Sequence, residues 1–394
     1  MEIRSTTRGP RLSKIDLLVI SLLVLCLTSA FLSGFLVHAT FFTNHRELPI
    51  LFQAFSILID HAYFPLPDTR TLEYGMIRGM LQEYGDPYAS FLEPTKNELE
   101  TDRFEGSFGG IGADILQDSD GNFILKPYPG SPAARAGIQN GDRLIEIDDT
   151  VLTKESALET IQASIRGEAG TRVWITIARA PDYNPQRLSI IREEFNIPSI
   201  AAWIVPGHPA IGYLKLNVIA SSTPQEIEEA FKDLSARGAD RFILDIRDNG
   251  GGFLTAGIEV ARLFLADGEI IRQQSRADEI EIFRVTKPGP LADKRLVVLI
   301  NHNTASAAEI VAGALQMQGR AVLIGEPSYG KNAIQLAFPL DDGASLHLTS
   351  ARWWLTDANG NPQKEGLQPD INLPSESYTP EQVLNQAIEI IIRD

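Results

Sequence analysis

Three loops in the second half of the chain carry residue types suited to attack on a carbonyl carbon. The first is Arg247-Asp248-Asn249-Gly250-Gly251-Gly252, which follows an apolar run ending at Ile246. Three successive glycines leave backbone N–H groups uncovered, so a substrate oxygen can approach them closely. Gly250 and Gly251 are therefore candidate donors of an oxyanion hole, although a flexible strand-to-helix turn would read the same way. The second loop is Asn301-His302-Asn303-Thr304-Ala305-Ser306, and a helix follows it. A serine there sits where the helix dipole and unpaired N–H groups favour negative charge. The N–H of Ala307 would then face an oxyanion formed by attack of Ser306. Ser306 with Glu309 also matches the S-x-x-E capping box, a structural device that needs no chemistry.

The third loop, Gly325 to Lys331, leads into an alternating strand. Ile334, Leu336 and Phe338 share one side, while Lys331, Ala333 and Gln335 share the other. A lone lysine is ordinarily a solvated charge. As the base for Ser306, Lys331 must lose its proton, which needs its pKa of ~10.4 to fall by about three units through burial. Ser-Lys pairs are a known variant of the catalytic triad, and a carboxamide such as Gln335 orients an amine without adding charge. His302 is the competing base, with no acid plainly placed to orient it.

Short, continuous apolar runs position these loops. Phe242 to Ile246, Leu296 to Ile300 and Ala321 to Ile324 read as parallel strands buried on both faces. Helical stretches separate them at Pro224–Arg237, Leu254–Leu265 and Ala305–Met317. Such an α/β sheet presents its chemistry at the carboxyl ends of its strands. Residues 104–182 differ in texture, with strands at Phe123–Lys126, Arg143–Ile147 and Arg172–Ala178, a helix at Glu155–Arg166, and a connector at Pro181–Pro185. Residues 45–103 read as helices, as does the end of the chain, 379–394.

Leu17 to Val37 is uncharged and mostly apolar, long enough to span a membrane. Arg4, Arg8, Arg11 and Lys14 precede it, so the expectation is a cytoplasmic segment at 1–14, a signal-anchor at 15–40, and everything later outside the cytoplasm. Val37-His38-Ala39 leaves a cleaved, secreted form open. The 394 residues carry a formal net charge of −16, which argues against nucleic acid as a partner. The single cysteine, Cys26, permits no intrachain disulfide, and the six histidines form no metal-binding pair.

Taken in order, several motifs resemble the carboxy-terminal processing (tail-specific) protease family. They are Gly85-Asp86-Pro87-Tyr88, Phe108-Gly109-Gly110-Ile111-Gly112, Gly130-Ser131-Pro132-Ala133, Ala136-Gly137-Ile138 with Gly141-Asp142, the Asp245–Gly252 stretch, Ala305 to Glu309, Tyr329-Gly330-Lys331 with Gln335, and Gly366-Leu367-Gln368-Pro369-Asp370. The resemblance implies an α/β protease core at 186–378 with a mostly parallel central sheet, and a small β-rich PDZ domain at 104–182. It also implies Ser306 as nucleophile, Lys331 as general base, and Gln335 as the residue positioning the lysine. Oxyanion donors would be Ala307 and a glycine of the 250–252 loop. Phe108, Gly109, Gly110, Ile111 and Gly112 would receive an apolar substrate C-terminus, the peptide adding as a strand to the sheet edge. Neither metal nor organic cofactor is implied, and the helical regions allow self-association. The chain departs from the family at Gly250, where proline is common, at Asn332, where glycine is usual, and at Trp353 to Asp357. A membrane-anchored PDZ adaptor without catalysis, or an esterase on the same scaffold, are the rival readings.

Overall fold

The computed structural model describes residues 28–29, 32, 48–357, 362–363 and 366–393. Nearly all of the expected basic segment and membrane anchor lies outside those residues. Among the described residues no helix is long and apolar enough to cross a membrane.

The described residues up to Met76 belong to one unit and those from Ile77 onward to a second. The first contains helix α1 (Pro49–His61), whose side chains are almost all exposed, Ile50, Phe52 and Ile57 among them. Helix α2 (Thr69–Tyr84) starts where the Asp68 carboxylate accepts the Thr71 N–H at 3.0 Å. It ends at Gly85, whose φ of +75° suits a residue without a Cβ. A short strand, β1 (Ser90–Leu92), and helix α3 (Pro94–Glu105) follow.

A small β domain comes next, built from β2 (Ser107–Gly110), β3 (Ala113–Gln117), β4 (Phe123–Pro127), α4 (Pro132–Arg135), β5 (Asp142–Ile147), β6 (Thr150–Val151), α5 (Leu158–Ile165), β7 (Arg172–Ala178), β8 (Pro185–Ile191) and β9 (Glu193–Asn196). Its main sheet runs β3-β4-β5-β7-β8, with β6 hydrogen-bonded to β5, which leaves β3 at an edge. The expected connector at 181–185 is instead the turn of a hairpin, and β8 pairs with β7 from Pro185 to Ile191. Turn residues there marked a reversal within one sheet, so this sheet closes at residue 191 rather than 182. The Phe108–Gly110 stretch is likewise a strand, β2, paired with β9.

The core sheet has the order β10-β11-β12-β15-β16-β20. Its members are β10 (Ile200–Ile204), β11 (Ile211–Leu216), β12 (Arg241–Asp245), β15 (Arg295–Ile300), β16 (Val322–Gly325) and β20 (Ile371–Asn372). Only β10 runs antiparallel to its neighbour. Successive residues face opposite layers, as strand geometry requires. Leu244 and Val298 pack with helices α6 (Thr223–Ala236), α7 (Leu254–Phe264) and α8 (Ala307–Met317). Ile243, Val297 and Ile324 pack on helix α9 (Pro380–Arg393). Both faces are thus covered, and the strands read as unbroken apolar runs for that reason. A second sheet joins β1, β13 (Glu269–Ser275), β14 (Ile280–Arg284), β17 (Ala333–Pro339), β18 (Ser345–Thr356) and β19 (Pro362–Gln363).

Candidate active site

Register fixes where the three loops emerge. Asp245 pairs with Leu299, and Ile300 with Gly325, so β12, β15 and β16 end side by side. The loops after them are stitched together at that edge. Ala305 N–H donates to the Asn249 carbonyl at 3.0 Å, the Thr304 hydroxyl to the Ile246 carbonyl at 3.0 Å, and Tyr329 N–H to the Thr304 carbonyl at 3.0 Å.

Ser306 stands at the N-cap of α8 with φ 54° and ψ −122°. A non-glycine residue there is strained, and such strain persists only where surrounding contacts impose it. Here the imposing group is Glu309, 1% exposed and the only charged residue in α8. One carboxylate oxygen accepts the N–H of Ser306 at 2.8 Å and that of Lys331 at 2.9 Å. The other accepts the Gly330 N–H at 2.7 Å and the Ser328 hydroxyl at 2.5 Å. Glu309 therefore brings the backbones of Ser306 and Lys331 to a single oxygen atom. Burial pushes its carboxyl above the usual range, and the four donors work in the opposite direction.

The sequence pointed to Glu309 only as a capping partner. Its signal was available, however: an acid inside a helix that otherwise reads apolar must be buried, and a buried acid must be paired. Glu309→Gln puts an NH2 group against N–H donors whichever way the amide turns. Ser328 can reverse its hydroxyl, so the amide nitrogen settles against Gly330 and displaces the loop carrying Lys331. We expect thermal unfolding to report a loss of about 1–3 kcal/mol, with kcat/KM falling on the order of tenfold or more. Unchanged values for both would show that the carboxylate is dispensable.

Lys331 donates its Nζ hydrogen bond to Gln335 Oε1, and Gln335 Nε2 donates to the Tyr88 carbonyl at 2.5 Å. Lys331 and Gln335 thus share a face, as alternation predicted, even though the β17–β18 register shifts between Ile334 and Gln335. Burial pushes the Lys331 amine below the ordinary lysine pKa, while the carboxylates of Glu100, Asp86 and Glu309 pull it back up. His302, the alternative base, is exposed and bonds through Nδ1 to Glu326 at 3.1 Å.

The glycine loop packs directly on the serine. A Cβ at Gly251 would lie 2.9 Å from Ser306 Cβ and 3.1 Å from Ala307 N. The Gly251 N–H is itself committed, donating to Asn249 Oδ1 at 2.9 Å. Those of Gly250 and Ala307 have no protein partner among the described residues, which leaves these two able to meet a substrate oxygen. A cleft of about 480 Å³ opens between Gly250 and Gly251 on one side and Leu99, Glu100 and Phe104 of α3 on the other.

In the small domain, a groove of about 250 Å³ runs between β3 and α5. Phe108, Gly110, Ile111 and Gly112 are among its lining residues. Among the described residues, the N–H groups of Ile111 and Gly112 have no protein partner. Ile111 also belongs to the domain core, being 1% exposed. Gly109 serves packing instead, because a Cβ there would lie 2.0 Å from the Gly167 carbonyl oxygen.

The class follows from matches to known families. Residues 210–373 match Peptidase family S41 and residues 123–179 match the PDZ domain, so this is a peptidase core joined to a PDZ domain. The chain is 35% identical over 311 residues to the carboxyl-terminal-processing protease of Picosynechococcus sp., covering 78% of this chain and 74% of that protein. It is 36% identical over 302 residues to the carboxyl-terminal-processing protease of Synechocystis sp., covering 75% and 70% respectively. Among solved structures, the photosystem II D1 C-terminal processing protease shares 31% identity, with 84% of this chain and 90% of that one covered and a TM-score of 0.45. The protein belongs to the carboxyl-terminal-processing protease family.

Proposed function

We propose that the protein is a serine endopeptidase that recognises apolar C-termini in its PDZ groove and cleaves extracytoplasmic polypeptides with a Ser306–Lys331 dyad. The observation that carries this reading is the Glu309 carboxylate oxygen that accepts from Ser306 N and Lys331 N together. In the proposed reaction Ser306 Oγ attacks the scissile carbonyl while the neutral Lys331 amine takes its proton. The oxyanion is met by the N–H groups of Gly250 and Ala307. Lys331 then returns the proton to the leaving amine, and afterwards takes one from the water that hydrolyses the acyl-enzyme. Gln335, accepting from Nζ, orients the amine without favouring its protonation as a carboxylate would.

The groove supports a role in recognition. Strand β3 offers a free edge for an added peptide strand, Ile115 and Ile165 are apolar lining, and the Ile111 and Gly112 N–H groups suit a terminal carboxylate. Extracytoplasmic action rests on the apolar run 17–37 and the basic residues before it.

Full-length protein in detergent should cut a flexible reporter ending in an apolar tail faster than the same reporter ending in charged residues. In cells, an exported form of the tailed reporter should be cut and a cytoplasmic form spared. Equal cleavage of both tails would remove the PDZ role, and cleavage of the cytoplasmic form would overturn the location.

A further inference from the structure

Gln335 can hold the Lys331 amine by accepting one of its hydrogens only if its amide oxygen, not its nitrogen, faces the amine. Nothing in the carboxamide itself decides this, because the two ends have nearly the same shape. The choice is made by whatever holds the nitrogen. That group is the main-chain carbonyl of Tyr88, which accepts from Gln335 Nε2 at 2.5 Å.

The Tyr88 carbonyl is in turn held in place. Tyr88 N–H donates to Asp86 Oδ1 at 3.0 Å, and Thr349 N–H donates to Asp86 Oδ2 at 3.1 Å. Thr349 on β18 is the residue paired with Gln335 on β17. The Asp86 carboxylate therefore clamps the turn after α2 to the same strand pair that carries Gln335. Tyr88 acts by a second route as well, since its ring centroid lies 5.5 Å from Lys331 Nζ. The half-buried ring covers the amine on a side that water would otherwise reach.

We propose that Tyr88, clamped by Asp86, is a positioning residue for the Lys331 base: its carbonyl sets the orientation of the Gln335 amide, and its ring shields the amine. The proposal rests on the Ser306–Lys331 reading above and adds to it a turn that lies far from both residues in sequence. Removing the ring hydrates the amine and favours its charged form. Removing the Asp86 charge acts with the opposite sign, because that carboxylate, with Glu100 of α3 and Glu309 of α8, favours the ammonium. The bonds from Tyr88 and Thr349 outweigh the effect of burial on Asp86 and hold its own carboxyl below the usual range.

The test compares full-length wild type with Tyr88→Ala, Tyr88→Leu, Tyr88→Phe and Asp86→Asn. Two quantities are read: the pH profile of kcat/KM, and the titration of the Lys331 amine followed by the chemical shift of its Cε carbon. For Tyr88→Ala we expect kcat to fall on the order of tenfold with KM within twofold, and the acid limb to move to higher pH. Tyr88→Leu should behave alike, and serves if the alanine variant does not fold. Tyr88→Phe keeps the ring, which the alanine and leucine variants lack, and should recover most of the lost kcat. Asp86→Asn should move the amine titration to lower pH while also lowering kcat. If the Lys331 titration in Tyr88→Ala and Tyr88→Leu coincides with that of wild type, the inference is overturned. If the titration moves as expected but Lys331→Met still cleaves like wild type, the catalytic reading fails while the positioning of the amine by Tyr88 stands.

Discussion

Ser306→Ala should abolish cleavage, lowering kcat at least ~10³-fold while binding of an apolar-tailed peptide is unchanged. The hydroxyl is the only group lost, and the Gly250 and Ala307 N–H groups and the groove remain. Stability offers an independent signature, because Ser306 holds a φ of 54° that alanine tolerates no better. The alanine variant should therefore unfold at nearly the wild-type temperature. Ser306→Gly relieves the strained backbone and should be more stable than wild type by about 1 kcal/mol, yet equally inactive. A protein that becomes more stable as it loses its nucleophile would show that the strain is maintained for chemistry. Residual cleavage above a tenth of wild type in both variants would exclude Ser306 as the nucleophile.

How much of this was legible in the sequence depended on the range of each signal. The core strands announced themselves because burial on both faces leaves unbroken apolar runs, and the structure moves both ends of Phe242–Ile246, and the start of Leu296–Ile300, by one residue. The face shared by Lys331 and Gln335 was a period-two inference, and the bond between the two side chains agrees with it. Pro181 to Pro185 misled because turn residues look the same between domains and within a hairpin. Pairing of β8 with β7 is a non-local fact that no window around the turn contains. The roles of Asp86 and Tyr88 were hidden for the same reason, as their partners Thr349 and Gln335 lie some 250 positions away. The two glycines 250 and 251 could not be told apart in sequence, since the difference is an Asn249 side chain that captures one N–H and leaves the other. Local patterns located the loops. Only tertiary packing assigned their atoms.

Lys331→Met should be as inactive as Ser306→Ala, again at least ~10³-fold below wild type, since methionine keeps the apolar stem and removes the base. Lys331→Arg should not rescue, because a guanidinium does not give up its proton at any working pH. With Lys331 as the proposed base, the reactive amine is the neutral one, so kcat/KM should fall about tenfold per unit as pH drops through the folded-state pKa. Burial sets that pKa below the ordinary lysine value, and the acid limb must lie below ~10.4. The same shift fixes the sign of a stability effect. A lysine whose pKa is lower folded than unfolded costs the fold stability at low pH, and the cost fades as pH rises through the two values. Replacing it by methionine removes that cost, so the variant should gain on wild type in urea unfolding at pH 6 and lose the advantage at pH 10. An advantage that is constant across this range would mean the amine is solvated in the folded protein, and a solvated amine is charged at neutral pH and cannot serve as the base.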